Sequence, residues 1–256
     1  MAEAAIPPAT FTFRGHAVAV EQQPRASRCE PGDTTGRIVW EASLVLLKWL
    51  QADAHLRLLG APPPLTPSCR CLDLSAGAGL VPLALAAAGA TVVASEAGNQ
   101  LPLLQRNVAR QPRCAAVEYW WGAPLGGALA AEPGFDLALC VDVLYIALRD
   151  GLARELDASL RALVAGGVAR GGLLLVFEER LVDEEAAFVA ALARPSGAGG
   201  RGGDALRVAE LRAPREGAHA LTREEAAAGR GGEGEGGLDG LFWEPPPVRF
   251  IHLTRA

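Results

Sequence analysis

Nothing in the bulk of this 256-residue chain favours a polyanionic partner: 24 Lys and Arg stand against 29 Asp and Glu, a formal net charge of −5. A mildly acidic chain exerts no general pull on nucleic acid or an anionic membrane, although a local basic patch is compatible with it. Long hydrophobic runs are absent too. The longest, Gly79 to Ala94, is interrupted by Pro82, Gly89 and Thr91, so no membrane span is expected. Cysteine is sparse: Cys29, Cys69, Cys71, Cys114 and Cys140 are odd in number and irregularly spaced, and no His or second pair completes a zinc site. No metal is expected, and a reducing intracellular compartment is the simple reading. Met1 to Thr10 has no basic segment followed by an apolar core, so a secretory leader is not expected either. The cytoplasm, with the nucleus as a further possibility, is the expected location.

What is present is organised around Cys71 to Leu80. An apolar run ends in Asp73, small residues follow (Ser75, Ala76, Gly77, Ala78, Gly79), and an Ala/Leu-rich helical pattern begins at Leu80. A buried strand entering a glycine-poised turn and a helix start is the nucleotide-cradling unit of open α/β sheets. Its glycines permit close backbone approach and its first helical N–H groups are unpaired. By itself the same turn serves any nucleotide, or packing alone.

Elsewhere the periodicities alternate. Two short alternating segments around Gly15, within 11–22, predict a hairpin, and the polar stretch 23–36 a loop. From Arg37 a helical repeat runs through Val39, Trp40, Ser43, Leu44, Leu47 and Leu50 to Leu58 and Leu59. Strands are predicted at Thr91 to Ser95, Ala115 to Trp120, Phe135 to Val141 and Leu173 to Phe177. Helices are predicted at Gln100 to Ala109, Leu152 to Val164 and Val182 to Ala193. Strands buried on both faces and joined by helices imply a parallel sheet. Val248 to Thr254 alternates as a last strand, and Leu206 to Leu211 is its economical antiparallel partner. Five parallel strands and this terminal hairpin make seven. The division expected is 1–36 as N-terminal hairpin and loop and 37–256 as one domain, with glycine-rich loops near 196–203 and 230–237.

Glu96 ends the second of these parallel strands. An acid there lies over the crevice that a ligand crosses, and its oxygens can accept from both ribose hydroxyls; capping of the next helix is the plainer alternative. The glycines are spaced Gly-x-Gly, and Pro82 falls where a pyrophosphate-binding fingerprint needs its third glycine. A sulfonium cofactor has no pyrophosphate, which favours S-adenosylmethionine over a nicotinamide dinucleotide.

Three further segments carry a family resemblance. Val39 to Leu46 resembles a Trp-containing helix ahead of the first strand. Asn107-Val108 followed by Trp121-Gly122 keeps the family's order, and Phe135 to Tyr145 resembles its strand ending in Asp-x-x-Tyr, here Asp142 and Tyr145. Over residues 36–180 the chain is similar to the class I, seven-stranded methyltransferases of family 16, the protein-lysine methyltransferases of the methyltransferase-like 21 type. The resemblance implies a Rossmann-like α/β fold with an N-terminal hairpin-and-helix cap. It also implies S-adenosylmethionine as cofactor, a protein substrate, and methyl transfer most often to lysine. Trp40, Asp73, Ser75, Gly77, Gly79, Glu96 and Trp121 would bind the cofactor, Trp121 near the adenine. Asp142 and Tyr145 would line the acceptor site, while Glu178-Glu179-Arg180 resembles a family feature beside the substrate entrance.

Asp142 leaves the carboxyl end of a strand, where α/β sheets place reactive groups; a carboxylate can orient an incoming amine and a tyrosine three residues on can wall the channel. Val143 and Leu144 replace the prolines of the Asp-Pro-Pro-Tyr type of site, which argues against a flipped nucleobase as acceptor. A monomer acting on a protein is expected. Ser75 and Trp120 depart from the family pattern, Ser75 standing for a glycine whose position would be strained if it required a positive φ. Transfer to a histidine, terminal amine or small molecule, and a non-catalytic scaffold, remain as alternatives.

Overall fold

The computed structural model describes residues 8–23, 35–61, 63–130, 133–195, 204–211 and 247–256. The glycine-rich stretches at 196–203 and 230–237, and most of the 23–36 loop, lie outside the described residues.

The chain opens with an antiparallel hairpin, β1 (Ala9–Phe13) and β2 (His16–Val20), turning at Arg14 and Gly15 as the alternation predicts. Phe11, Phe13, Val18 and Val20 face inward and join the same core cluster as the main sheet, so the hairpin is part of one fold rather than an appendage. The helical repeat that follows divides where a single helix was expected. Trp40 is extended (φ −97°, ψ 157°) and precedes α1 (Glu41–Trp49) rather than lying on its face; α2 (Asp53–Leu58) comes after a break. The break has an identifiable cause. The Arg14 guanidinium donates to the carbonyls of Leu50 (3.0 Å) and Gln51 (3.0 Å) and pairs with Asp53 (2.7 Å), so the hairpin tip satisfies the acceptors left open at the end of α1. Within α1, Ala42, Val45, Leu46 and Trp49 repeat at threes and fours and are buried.

β3 (Arg70–Asp73) then enters α3 (Leu80–Ala87), whose residues from Leu80 to Ala86 are all buried. A helix apolar all round must be covered on every side, and this one lies between the sheet, β2 and α1. Pro82 is accommodated because it falls in the first turn, where its missing N–H has no intrahelical partner. The alternation continues through β4 (Thr91–Glu96), α4 (Leu101–Val108), β5 (Cys114–Glu118), β6 (Leu137–Val141), α5 (Leu144–Arg149), α6 (Ala153–Val164), β7 (Leu173–Glu178) and α7 (Val182–Leu192). β8 (Leu206–Leu211) and β9 (Val248–Arg255) close the chain.

The main sheet is seven-stranded, in the order β5-β4-β3-β6-β7-β9-β8. β3 to β7 are parallel, and β9 runs antiparallel between β7 and β8, the terminal hairpin the sequence predicts. Its two faces carry separate apolar layers. Cys71, Leu139, Leu174 and Val176 face the layer of α1, α3, α4 and the β1–β2 hairpin, while Leu72, Ala138, Leu175 and Phe177 face that of α5, α6 and α7. Cys69 and Cys71 share the first face, as their alternation predicts, with Sγ atoms 4.0 Å apart. Because β4 lies on one side of β3 and β6 on the other, the order of strands reverses at β3, and a crevice opens outside the carboxyl ends of these strands.

Phe250 of β9 is fully buried and meets Trp49 of α1 with ring centroids 5.1 Å apart. Phe250→Ala is expected to destabilise the protein by about 3–5 kcal/mol, since the site cannot collapse around the lost ring. Denaturant unfolding followed by circular dichroism measures this, and a change below about 1 kcal/mol would contradict the packing described.

Candidate active site

Outside the carboxyl ends of β3, β4 and β6 lies a cavity of about 360 Å³, lined at one end by Ser75 to Leu80, Glu96 and Trp121 and at the other by Trp40, Asp142, Tyr145 and Arg180. Its position follows from the reversal of strand order, and its size suits a small organic ligand.

The turn from β3 into α3 is clamped on both sides. Leu74 N–H donates to the Leu139 carbonyl on β6 (2.9 Å), and Ala76 N–H to Ser95 on β4 (3.0 Å). The Ser95 hydroxyl, fully buried, donates back to the Leu74 carbonyl (2.6 Å). Gly77 (φ +53°) and Gly79 (φ +95°) occupy the left-handed region, whereas Ser75 does not, so the strain feared at the serine does not arise. A Cβ on Gly77 would lie 3.2 Å from the Gly36 carbonyl, and one on Gly79 2.8 Å from the Leu104 side chain. Backbone therefore floors the cavity where side chains cannot fit.

Glu96 leaves the end of β4 and turns back over this floor. Its Oε2 accepts from Gly77 N–H (2.7 Å) and its Oε1 from Ala97 N–H (3.0 Å). The carboxylate is thereby held at the rim of the crevice. Asn107 explains why α4 matters here. Its amide donates to the Ala78 carbonyl (2.7 Å) and to the Glu21 carbonyl (2.9 Å), joining the glycine turn to the end of β2. On the far side of the crevice Trp121 donates its indole N–H to Ser75 Oγ (3.2 Å). The following Gly122 N–H donates to Ser159 Oγ of α6 (2.8 Å), fixing the loop that carries Trp121. Trp120, by contrast, is 58% exposed and points away, its indole on Glu118 (3.2 Å).

Of the residues the sequence singles out, Trp40, Ser75, Gly77, Gly79, Glu96, Trp121, Asp142 and Tyr145 all line this cavity, and Asp73 does not. Asp73 is 1% exposed beneath the turn, accepting from Ser75 N–H at 3.3 Å. Burial, reinforced by the Glu96 charge, pushes its carboxyl up to about 7. It shapes the turn from behind.

At the other end, Asp142 is in the left-handed backbone region (φ +58°), which turns the chain from β6 into α5. α5 places Tyr145 beside it. Neither α5 nor the full role of Arg180 was legible in the sequence. The Arg180 guanidinium spans both oxygens of Asp142 (3.1 and 3.1 Å) and reaches Glu178 Oε2 (2.7 Å). It also lies 5.5 Å from the Trp40 ring centre and 5.4 Å from that of Tyr145. Burial and the neighbouring Asp142 charge raise the Glu178 carboxyl to about 7, against the pull of Arg180. Arg180 thus lies between two aromatic rings and two carboxylates at this end of the cavity. Ser43, Gln100 and Arg149 also line the cavity and were not anticipated there.

The donor set fits S-adenosylmethionine: a backbone floor at Gly77 and Gly79, a rim carboxylate that suits a ribose, and an indole wall. A model of a lysine methyltransferase family matches residues 26–194. The chain is 32% identical over 146 residues to the protein N-lysine methyltransferase METTL21A of Mus musculus, covering 55% of this chain and 59% of that protein. It is 29% identical over 147 residues to the protein-lysine methyltransferase METTL21E of Bos taurus, covering 55% and 46%. The match thus spans less than two thirds of either relative. Among solved structures, a TehB-like SAM-dependent methyltransferase from Corynebacterium glutamicum superposes with a TM-score of 0.47 at 13% identity, covering 87% of this chain and 91% of that one.

The buried Asp73 generates a stability prediction. Its folded-state pKa of about 7 lies above the ordinary 3.8, so the native state binds the extra proton and stability falls as pH rises between these values. Asp73→Asn, which cannot ionise, is expected to gain on the wild type progressively from about pH 4 to 7, by on the order of 2–4 kcal/mol, and to hold that gain above. Urea unfolding across this range checks it; a constant difference would contradict the burial of a titrating carboxyl.

Proposed function

This chain belongs to the lysine methyltransferase family, and on that premise we propose that it transfers a methyl group from S-adenosylmethionine to a lysine ε-amine of a protein. The observation that carries the proposal is the joining, in one cavity, of the Gly77–Glu96 rim and the Asp142–Tyr145 end. The family relatives named protein lysine methyltransferases support the acceptor class.

When bound, S-adenosylmethionine supplies an electrophilic methyl on a sulfonium that departs as a neutral thioether. Glu96 would accept from the ribose hydroxyls, Trp121 would cover the adenine, and the α3 N-terminus with Gly77 and Gly79 would receive the methionine end. Ser75 holds the Trp121 indole, and Asp73 supports the turn from below. The acceptor must arrive as a neutral amine in line with the methyl and stripped of water. Asp142 would accept an N–H of that amine and aim its lone pair, while Trp40 and Tyr145 wall the channel and exclude water. The nitrogen so aimed would take the methyl that the cofactor supplies and afterwards release one proton to solvent at the mouth of the channel.

A monomer acting on a separate protein in the cytoplasm or nucleus belongs to the same proposal. The net charge of −5 and the apolar Val143-Leu144 pair support a protein rather than a nucleic-acid acceptor. Among the described residues no helix is long and apolar enough to cross a membrane.

Labelled S-adenosylmethionine added to a cell extract, with the modified residue mapped by mass spectrometry, is the direct test. The chain's own single lysine is Lys48, so label on any other lysine belongs to a substrate. Methyl on protein lysine is expected; methyl confined to histidine, a terminal amine or a small molecule would overturn the acceptor. Asp142→Asn should lower transfer by about a hundredfold or more while cofactor affinity stays within about threefold. Full activity in that variant would contradict the acceptor-site assignment.

A further inference from the structure

Arg180 stands where a substrate cation would be expected. Its guanidinium is 22% exposed, flanked by the Trp40 and Tyr145 rings and bound to Asp142 and Glu178. Burial alone would lower its pKa, but Asp142 and Glu178 outweigh burial, so the group is held firmly charged. Accepting the lysine reading, the arrangement poses a question. An uncompensated Asp142 beside the acceptor would stabilise the ammonium form of lysine, which cannot attack.

The bonds on Asp142 answer it. A carboxylate offers about four lone-pair sites. Oδ1 accepts from Arg180 Nη1 (3.1 Å) and Glu178 N–H (3.3 Å), and Oδ2 accepts from Arg180 Nη2 (3.1 Å). One site therefore remains on Oδ2 for a single N–H of the acceptor, and the Arg180 charge, shared with Glu178, offsets part of that of Asp142. The backbone reinforces the geometry: Asp142 sits at φ +58°, and Arg180 N–H is itself held by the Glu185 carboxylate of α7 (3.1 Å). The surrounding charged groups are Glu41 on α1, Arg149 at the end of α5 and Asp150 just after it, Glu179 with its partner Arg249 on β9, and Glu185 on α7. Arg149 adds a second guanidinium 5.7 Å from the Tyr145 ring. Arg180 is the cation that touches Asp142 directly.

We infer that Arg180 is a positioning residue that fixes Asp142 for one acceptor hydrogen bond and, by offsetting its charge, favours the neutral form of the incoming lysine. It stays in place during transfer rather than acting as a plug. The inference rests on the lysine-methylation reading of the same site.

The test is the pH dependence of methyl transfer to the protein band that the wild type labels in extract, compared between wild type, Arg180→Ala and Arg180→Lys, with cofactor affinity measured by calorimetry in all three. Removing the positive charge leaves Asp142 to stabilise the ammonium, so the alkaline rise of activity in Arg180→Ala should move upward by about one pH unit or more. Transfer near neutrality should fall at least tenfold, and cofactor affinity should be unchanged. Arg180→Lys, which keeps a charge, should keep the wild-type limb while losing rate through poorer geometry. A uniform loss in Arg180→Ala with an unmoved limb would reduce Arg180 to packing and overturn the inference. Increased activity at neutral pH would also overturn it, by showing a plug. Wild-type protein that binds cofactor but transfers nothing at any pH would sink the underlying reading as well, an outcome distinct from both.

Discussion

A single charge-assisted bond, from Gly77 N–H to the Glu96 carboxylate at 2.7 Å, sets the geometry on which the site depends. It ties the carboxyl end of β4 to the turn after β3, where the sheet's strand order reverses. Bonds of this kind are shorter and stronger than neutral ones. Here it does two things together: it holds a carboxylate over the crevice and keeps a glycine backbone in the left-handed conformation that floors it. The clamps from Leu139, Ser95 and Asn107 then leave the turn with little freedom. The hairpin and α4, remote from any chemistry, matter through Asn107.

The Asp142 end of the cavity has the opposite character. In place of hydrogen-bonded backbone it holds a cluster of like and unlike charges around Asp142. A buried carboxylate pair with one guanidinium is costly to assemble, and breaking such a cluster by removing one member leaves an uncompensated charge. The backbone strain at Asp142 is tolerated because β7, through Glu178 N–H and Arg180, captures its side chain. A left-handed backbone, burial and a raised Glu178 carboxyl converge at this one place.

The sheet was legible because its strands are long apolar runs bounded by turn residues, and the terminal hairpin because 248–254 alternates cleanly. The glycine turn and Glu96 were legible through spacing, and Trp121 and the Asp142–Tyr145 pair through the family resemblance. Three features were not. The split between α1 and α2 depends on Arg14, a residue 36 positions before the Leu50 carbonyl it satisfies, and no local pattern reports that. α5 is too short for a periodicity to stand out. Arg180 was seen as part of a charged turn, but its grip on Asp142 joins the ends of two parallel strands and exists only in the folded sheet. Asp73, expected among the residues that shape the cofactor pocket, lies buried beneath the turn rather than on the cavity wall.

The central claim is that the Glu96–Gly77 rim forms an S-adenosylmethionine site. Isothermal calorimetry of S-adenosylmethionine with the wild-type protein and with Glu96→Ala tests it most directly. One binding site in the wild type, weakened about tenfold to a hundredfold in the variant, is the predicted result, in line with the loss of a charge-assisted bond. Absence of binding to the wild-type protein, or equal affinity in the two, would contradict the account.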